Sequence, residues 1–453
     1  MLNILYKYLR TRFSAFFHNW KVYLIQEIQD FKNEYLYRVV TRINDSSAMT
    51  KYLDNRADYK DPRQFYVISG RFHLLGELDK AKFYAKKAED LKTRLRKESA
   101  PFDSDFVWAG GDWVSNIGHT AMGLDILRCK MLSEGVDVPI FFYSYGQGNS
   151  ALLRIFSEHL RLFKLSQKDY YDFERTFRNS EMQLSFISNQ TDLLEIHEAY
   201  KHYNRAALPH KRRVELLEEQ TDIARTSLDR LGVDLKVPFI AFHVREKDEQ
   251  DALRQGNQGD LENVVRALTH FSNFGYQFIR MGHKGMTPLD KVLRNESEVV
   301  RRSFFDYANS NEKSEVVDLF LWANCEFFIG GDSGPIMVPP LFFKPTLRVN
   351  TNMPYMHNVG HSGFILPKLV SHKKSSQFIP FRELKNSYTL MHKTTTNSEF
   401  VRHFVPTEVI IDAISDMISL NQSISQGEVI FDETYTFDLQ ISPSFAKRYQ
   451  SLF

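Results

Sequence analysis

The sequence predicts an α/β protein whose second half is a doubly wound parallel sheet. A shorter β–α–β segment and a helical N-terminal stretch precede it. Three observations carry this. Short apolar runs that read as buried strands, residues 237–242, 276–279, 304–307, 327–329 and 346–349, alternate with helical patterns over 260–271 and 314–324. The same alternation starts earlier, with a strand at 106–110, a helix at 119–133 closed by Gly135, and a strand at 138–143. Before Pro101 the periodicity is helical only.

The bulk numbers fit a soluble globular chain of several domains. There are 453 residues, 43% hydrophobic and 25% charged, with a net charge of +2 that gives no reason to expect nucleic acid as a partner. Cys129 and Cys325 are too few for a disulfide framework and are read as buried thiols. No apolar run is long enough to span a bilayer, and Lys7, Arg10 and Arg12 interrupt the only stretch resembling a signal peptide, so a cytoplasmic protein is expected.

Residues 1–25 place Leu2, Leu5, Leu9, Phe13, Phe16, Trp20 and Tyr23 at helical spacing among Lys7, Arg10, Arg12 and Lys21. Such a helix either packs its stripe on the protein or lies on an anionic lipid surface; it is the element for peripheral contact with the inner face of a cell membrane. Residues 65–91 resemble one tetratricopeptide-type hairpin, with Phe65, Ile68, Phe72, Gly76, Ala81 and Ala88 at its large, turn and small positions. One hairpin makes no solenoid, so it is read as a helical extension. Between 160 and 232 the chain is charged and mostly helical, and 193–231 reads most simply as two helices broken at Pro209.

The loop Gly330-Gly-Asp-Ser-Gly-Pro335 follows a strand and leads into a helix opened by Pro335, kept short or kinked by Pro339 and Pro340. Glycines admit a ligand close to the backbone, and free N–H groups at a helix start suit a phosphate. The spacing is neither a Walker loop nor a dinucleotide fingerprint, and an ordinary tight turn would look the same. Its company raises it. His243 and Arg245, Arg280 with Gly282, and Gly331, Asp332, Ser333 and Gly334 each follow a strand, so all belong on one edge of the sheet, where such sheets bind ligands. Two arginines and a helix start on one rim describe a diphosphate site. There is no paired-cysteine or His-Glu-x-x-His spacing for a metal.

Taken in order, Ile117-Gly-His119, Phe242-His-Val-Arg245, Phe278-Ile-Arg-Met-Gly282, the stretch from Asp318 to Gly330, Ser333-Gly334, Val338-Pro339, Pro345, Asn350, Phe381-Arg-Glu383 and Ser442-Pro-Ser-Phe445 resemble a bacterial family of glycosyltransferases that is distantly similar to heptosyl- and fucosyltransferases. The resemblance runs from about Phe106 to the end and is strongest over 238–350. It implies the GT-B fold of two Rossmann-like lobes: a helical extension over 1–100, an acceptor lobe over 101–235, a nucleotide-sugar lobe over 236–420 and a tail over 421–453. It further implies metal-independent transfer of a sugar from a nucleotide-activated donor, as substrate and without a cofactor, to a glycan, lipid-linked or protein acceptor in bacterial surface glycan or glycoconjugate synthesis. His243, Arg245, Arg280, Gly282, Gly331, Asp332, Ser333, Gly334 and Asn350 would hold the donor. His119, facing the cleft from the first lobe, is the first candidate base, with Asp112 and Glu246 in reserve. Asp332 departs from the family's small or hydroxyl residues and sets a negative charge beside the expected phosphate, so capping the helix or binding the sugar are its alternatives. A nucleotide-sugar epimerase or hydrolase on the same fold, and a non-catalytic interaction protein with a degenerate cleft, are the competing readings.

Overall fold

The structure is a computed structural model. It describes residues 45–54, most of 65–99, 107–109, 114, 116–135, 137–142, 149–166, 186–188, 193–195, 214–246, 260–352, 363–386, 399–426 and 440–453. The amphipathic stretch 1–25 and Asp112 lie outside the described residues. The chain divides into two compact units, Met1–Pro101 with Thr176–Glu195, and Phe102–Arg175 with Ile196–Phe453.

The second unit opens with a three-stranded parallel sheet, β1 (Val107–Ala109), β2 (Ile140–Phe142) and β3 (Leu162–Lys164), in sequence order. Between β1 and β2 runs the helix Ile117–Glu134. Asn116 Oδ1 caps it by accepting from the Gly118 N–H at 3.1 Å, and Gly135 ends it in the left-handed conformation at φ 65°. The helix Ser150–Ser157 connects β2 to β3 and buries Ala151, Leu152, Ile155 and Phe156.

Next in sequence come β4 (Phe186–Ser188) and β5 (Leu193–Glu195), an antiparallel pair that belongs to the first unit. Residues 193–195 are therefore strand and not the start of a helix, and the one described helix in the span read as two is Glu218–Arg230. The first unit also holds the helices Ser46–Asp54 and Leu78–Ser99. Met49, Leu53, Ile68, Phe72 and Ala81 form one small core, and Phe65 packs on Ala85 and Ala88. The Tyr84 ring stacks on Phe72 with centroids 5.4 Å apart, which alanines at 81, 85 and 88 permit by keeping the helix face flat.

A seven-stranded sheet follows, made of β6 (Phe239–His243), β7 (Gln277–Arg280), β8 (Phe304–Phe305), β9 (Phe328–Gly330), β10 (Thr346–Thr351), β11 (Gly363–Pro367) and, at one edge, a strand at Gln440–Ile441. In chain order β12 (Leu369–His372) and β13 (Phe400–His403) come first and pair with each other antiparallel, so the edge strand is β14. The order β14-β11-β10-β9-β6-β7-β8 is parallel throughout. Its strands are near-continuous apolar runs because helices cover them: Ile240, Phe242, Phe278, Ile329, Leu347 and Val349 share a core with Val264, Val265 and Leu268 of the helix Leu261–Thr269. Ile410, Ala413, Ile414 and Met417 of the helix Thr407–Ser425 complete it. That helix runs across position 420, and β14 with the buried Phe445 adds residues 440–453 to the same layer, so residues expected to form a tail are built into this sheet.

Two expectations about local form change. No α-helix follows the 330–335 loop; the chain makes two 3-10 turns, Gly334–Met337 and Pro339–Phe342, since consecutive prolines remove the N–H groups an α-helix would use. The strand expected over 304–307 ends at Phe305 and passes into a 3-10 turn at Tyr307–Asn309.

The β10–β11 ladder depends on one glycine. Gly363 sits at φ +148°, and a Cβ there would lie 2.0 Å from the Thr346 carbonyl oxygen. Gly363→Ala is expected to destabilise the unit by about 2 kcal/mol or more, read as a lower urea midpoint; an unchanged midpoint would show that the ladder can shift to admit the methyl group.

Candidate functional site

The sheet order makes β6 the point from which the chain winds both ways, to β7 and β8 on one side and to β9, β10 and β11 on the other. β6 and β9 are neighbours, with His243 in register opposite Gly330. At such a switch point the loops leaving the two strands diverge and open a crevice at their carboxyl ends. His243 and Arg245 arrive there from β6, the 331–334 loop from β9, and Arg280 with Gly282 from β7.

The crevice is faced by the start of the Ile117–Glu134 helix, and the contact is backbone on backbone. A Cβ on Gly118 would fall 2.7 Å from Gly334 Cα, and one on Gly334 would fall 3.0 Å from Asn116 Oδ1 and 3.1 Å from the Gly118 nitrogen. Only glycine at both positions allows this approach, and it sets His119 one residue from the loop. A second tie joins the same two halves of the unit. Glu315 Oε2 accepts from the Ser150 N–H (2.7 Å), the Ser150 hydroxyl (2.6 Å) and the Ala151 N–H (3.2 Å), which sets a carboxylate at the positive end of the Ser150–Ser157 helix. Nothing in the sequence singled out Glu315, because its partner lies 165 residues away.

His243 is buried, and its Nδ1 lies 3.3 Å from the Ser333 hydroxyl. Ser333 therefore turns its side chain to β6 and makes no cap hydrogen bond to the turn it begins. Burial lowers the His243 pKa to about 3, and the charges of Arg245, Arg280, His283 and Lys313 all push in the same direction. The imidazole is neutral at neutral pH, chiefly because it is buried.

Arg280 is 0% exposed. It is ion-paired to Glu246, lies 3.7 Å from Asp306, and donates to the Thr287 carbonyl. Glu246 is held on its other side by the Thr287 N–H and hydroxyl, each 2.9 Å away. Arg280 thus contributes charge from beneath the rim instead of presenting a guanidinium on it, and Glu246, the reserve base, is occupied in holding Arg280. Gly282 is required for space: a Cβ would fall 2.2 Å from Met286 Sδ.

Asp332 faces away from the crevice just described. Its Oδ2 accepts from the Asn352 N–H at 2.7 Å, so it does not cap the turn at 334–337; burial raises its pKa, and Arg348, Lys368 and Arg402 oppose that rise. Asn350 is 2% exposed at φ 60°, and its Oδ1 accepts from the Val405 N–H at 2.7 Å, so its carbonyl oxygen braces the 404–406 segment. Gly331 begins the loop directly after β9, with the Val349 carbonyl 3.4 Å from where its Cβ would be. Asp318 is buried and ion-paired to Lys313, and burial raises its pKa to about 6. Cys129 and Cys325 are buried free thiols, the latter pushed up to about 12. Among the described residues no three His, Cys, Asp or Glu side chains come together as a metal site, and no helix is long and apolar enough to cross a membrane.

No known family profile matches the chain, and no curated protein matches it. Among solved structures it is similar to the glycosyl transferase family 9 protein of Veillonella parvula DSM 2008, at 13% identity over 71% of this chain and 99% of that one, with a TM-score of 0.42. It is similar to the ADP-heptose lps heptosyltransferase II of E. coli at 10% identity, over 70% and 100% of the two chains, with a TM-score of 0.45. For the E. coli heptosyltransferase WaaC, solved with ADP, the values are 9%, 58% and 91%, and 0.34. These proteins are of the kind that the sequence motifs resemble.

The buried imidazole has a measurable signature. Its folded pKa of about 3 lies below the ordinary value of 6.5, so on acidification the unfolded chain takes up the proton first. The contribution is whole above pH 6.5 and is lost as pH falls toward 3. Asp318, raised to about 6, has the opposite sign, but it is common to wild type and variant. Urea titrations from pH 6 to 4 are expected to show wild type losing stability relative to His243→Gln by about 1.4 kcal/mol per pH unit. A pH-independent difference would mean that His243 is not held neutral.

Proposed function

We propose that the chain is a glycosyltransferase of the two-lobed GT-B kind, moving a sugar from a nucleotide-activated donor to an acceptor hydroxyl. One observation carries the reading: at the switch point of the parallel sheet, a glycine loop after β9 lies beside the end of β6 with His243 and Arg245 and meets the start of the helix that bears His119. A backbone-lined crevice at the carboxyl ends of parallel strands suits a diphosphate, and a second set of side chains facing it suits the group that attacks.

Breaking the bond between sugar and diphosphate leaves negative charge on the departing oxygen. In this reading Arg245 and the N–H groups of Asp332 and Gly334 receive the donor's phosphates, the Ser333 N–H being held by the Gly331 carbonyl at 2.8 Å. The Ser333–His243 contact fixes the loop at the distance this needs. His119, at the junction of Gly118 and Gly334, takes the acceptor hydroxyl's proton as its oxygen bonds to the anomeric carbon. In this reading side chains and backbone carry the leaving group's charge without a resident metal. The acceptor is a glycan, lipid-linked or protein hydroxyl of bacterial surface glycan or glycoconjugate synthesis.

A thermal-shift screen against nucleotide diphosphate sugars should find a stabilising donor. Arg245→Ala is expected to weaken that donor roughly tenfold or more, as loss of one charge-assisted phosphate contact does. His119→Ala should lower transfer by about two orders of magnitude while donor affinity holds. Absence of any shift across the panel would favour a non-catalytic interaction protein, and donor turnover that ignores added acceptor would favour an epimerase or hydrolase.

A further inference from the structure

Nine large hydrophobic side chains are exposed among the described residues, and three of them, Phe378 (43%), Val401 (37%) and Phe404 (41%), fall in one small sheet. It consists of the β12–β13 pair, extended where the returning chain at Phe378 bridges Ser371 on the side away from Val401. Paired residues of antiparallel strands project to the same face, so Phe378, Ser371 and Val401 form one row. Ser371 is buried between its neighbours, with its Oγ 2.8 Å from His403 Nε2, and the His403 ring meets Phe378 edge-on at 5.5 Å.

Backbone hydrogen bonds hold the turn that carries the chain from β12 to Phe378. The His372 N–H donates to the Gln377 carbonyl at 3.1 Å, the Ser376 N–H to the His372 carbonyl at 2.8 Å, and the Ile379 N–H to the Val370 carbonyl at 2.8 Å, while the Ile379 side chain enters the core. Residues 372–378 read His-Lys-Lys-Ser-Ser-Gln-Phe, and both Lys373 and Lys374 are exposed. Glu399, whose carbonyl accepts from the Lys373 N–H at 2.8 Å, is the one acidic residue beside this turn and the two strands. From Gly363 to Phe404 the chain carries seven Lys or Arg against two Glu, in a protein whose net charge is +2.

We infer that the exposed row Phe378–Val401 and the Lys373–Lys374 turn form a docking surface for an anionic lipid bilayer. Apolar side chains gathered on a surface and rimmed by charge mark a site of contact. At a bilayer the aromatic and β-branched side chains enter the boundary between headgroups and acyl chains, and the lysine stems reach back to the phosphates. Lysine suits this task, because a compact ammonium on a flexible stem answers diffuse negative charge without selecting one phosphate geometry. A duplex nucleic acid would answer the lysines and leave Phe378 and Val401 in water. β11 runs parallel to β10, β9 and β6, so the small sheet leaves from the edge that carries the crevice, and the Lys368 N–H, donating to the Thr351 carbonyl at 2.9 Å, fixes its root at the end of β10. Docking therefore turns that edge of the sheet toward the lipid surface. The inference rests neither on the glycosyl transfer reading nor on residues 1–25.

Flotation of the full chain with vesicles of phosphatidylcholine, with or without phosphatidylglycerol and with no nucleotide sugar present, tests the surface. Wild type is expected to float with the anionic vesicles, to stay behind with the neutral ones, and to lose binding as salt is raised. Lys373→Gln combined with Lys374→Gln should weaken binding about tenfold or more, at roughly fivefold for each charge. Phe378→Ser combined with Val401→Thr should weaken it about fivefold or more while leaving its salt dependence in place. All four positions are exposed, so the melting curves of both double variants should overlay that of wild type. Phe378→Trp, which keeps the apolar surface, should be quenched by brominated anionic lipid more than wild type is. Absence of wild-type binding to anionic vesicles, binding that both double variants keep in full, or binding to duplex DNA as tight as to anionic vesicles and indifferent to Phe378→Ser with Val401→Thr would each overturn the inference.

Discussion

Between β6 and β9 the sheet is joined by ordinary ladder hydrogen bonds, yet the chain passes away from that seam in opposite directions. The register that sets His243 opposite Gly330 is what the candidate site depends on. It determines that the residue after β9 begins a loop beside the end of β6, and that Ser333 can reach the imidazole. A slip of one residue would turn His243 to the other face and send the loop elsewhere. The Ser333–His243 contact opposes such a slip, because an alternative register would leave the buried imidazole without its hydroxyl partner.

Glycine supplies room at two places along this seam. At Gly118 and Gly334 the requirement is space, since any side chain would drive the two backbones apart. At Gly282 it is again space, but against Met286, a soft neighbour that fixes how the chain turns away from β7. The backbone contact at 118 and 334 and the Glu315–Ser150 tie hold the three-stranded and seven-stranded halves of the unit at two separate points. Two points of contact of such different chemistry constrain both the distance and the angle at which His119 faces the loop.

Much of this was legible in the sequence, for physical reasons that differ by element. β6, β7 and β9 are parallel strands covered on both faces, so their apolar runs stand out against polar flanks; the helices Leu261–Thr269 and Glu315–Asn324 carry side-chain caps from Asp260 and Ser314 that mark their starts. What stayed hidden depends on partners far away in the chain. β11 and β14 pair across about 75 residues, and the short β14 has no periodicity of its own. The β4–β5 pair is made of two three-residue strands, too short to show a period of their own. Arg280 was read as a rim contact because an arginine at a strand end is usually exposed; its burial follows from Glu246, which neutralises it from a different strand's loop.

The charge cluster beyond β10 shows why Asp332 did not fit a simple phosphate loop. A carboxylate in such a loop opposes an anion if it faces the same crevice, and that opposition is the reason it looked out of place. Its side chain instead leaves the crevice and meets Asn352 and the field of Arg348, Lys368 and Arg402. The signal was present in the sequence: Arg348 interrupts the apolar run of β10, and Lys368 stands between two buried strands. Charged residues at such positions are costly unless something meets their charge. Asp332 is one group that meets it, which gives this carboxylate a task on its own side of the loop, away from the crevice.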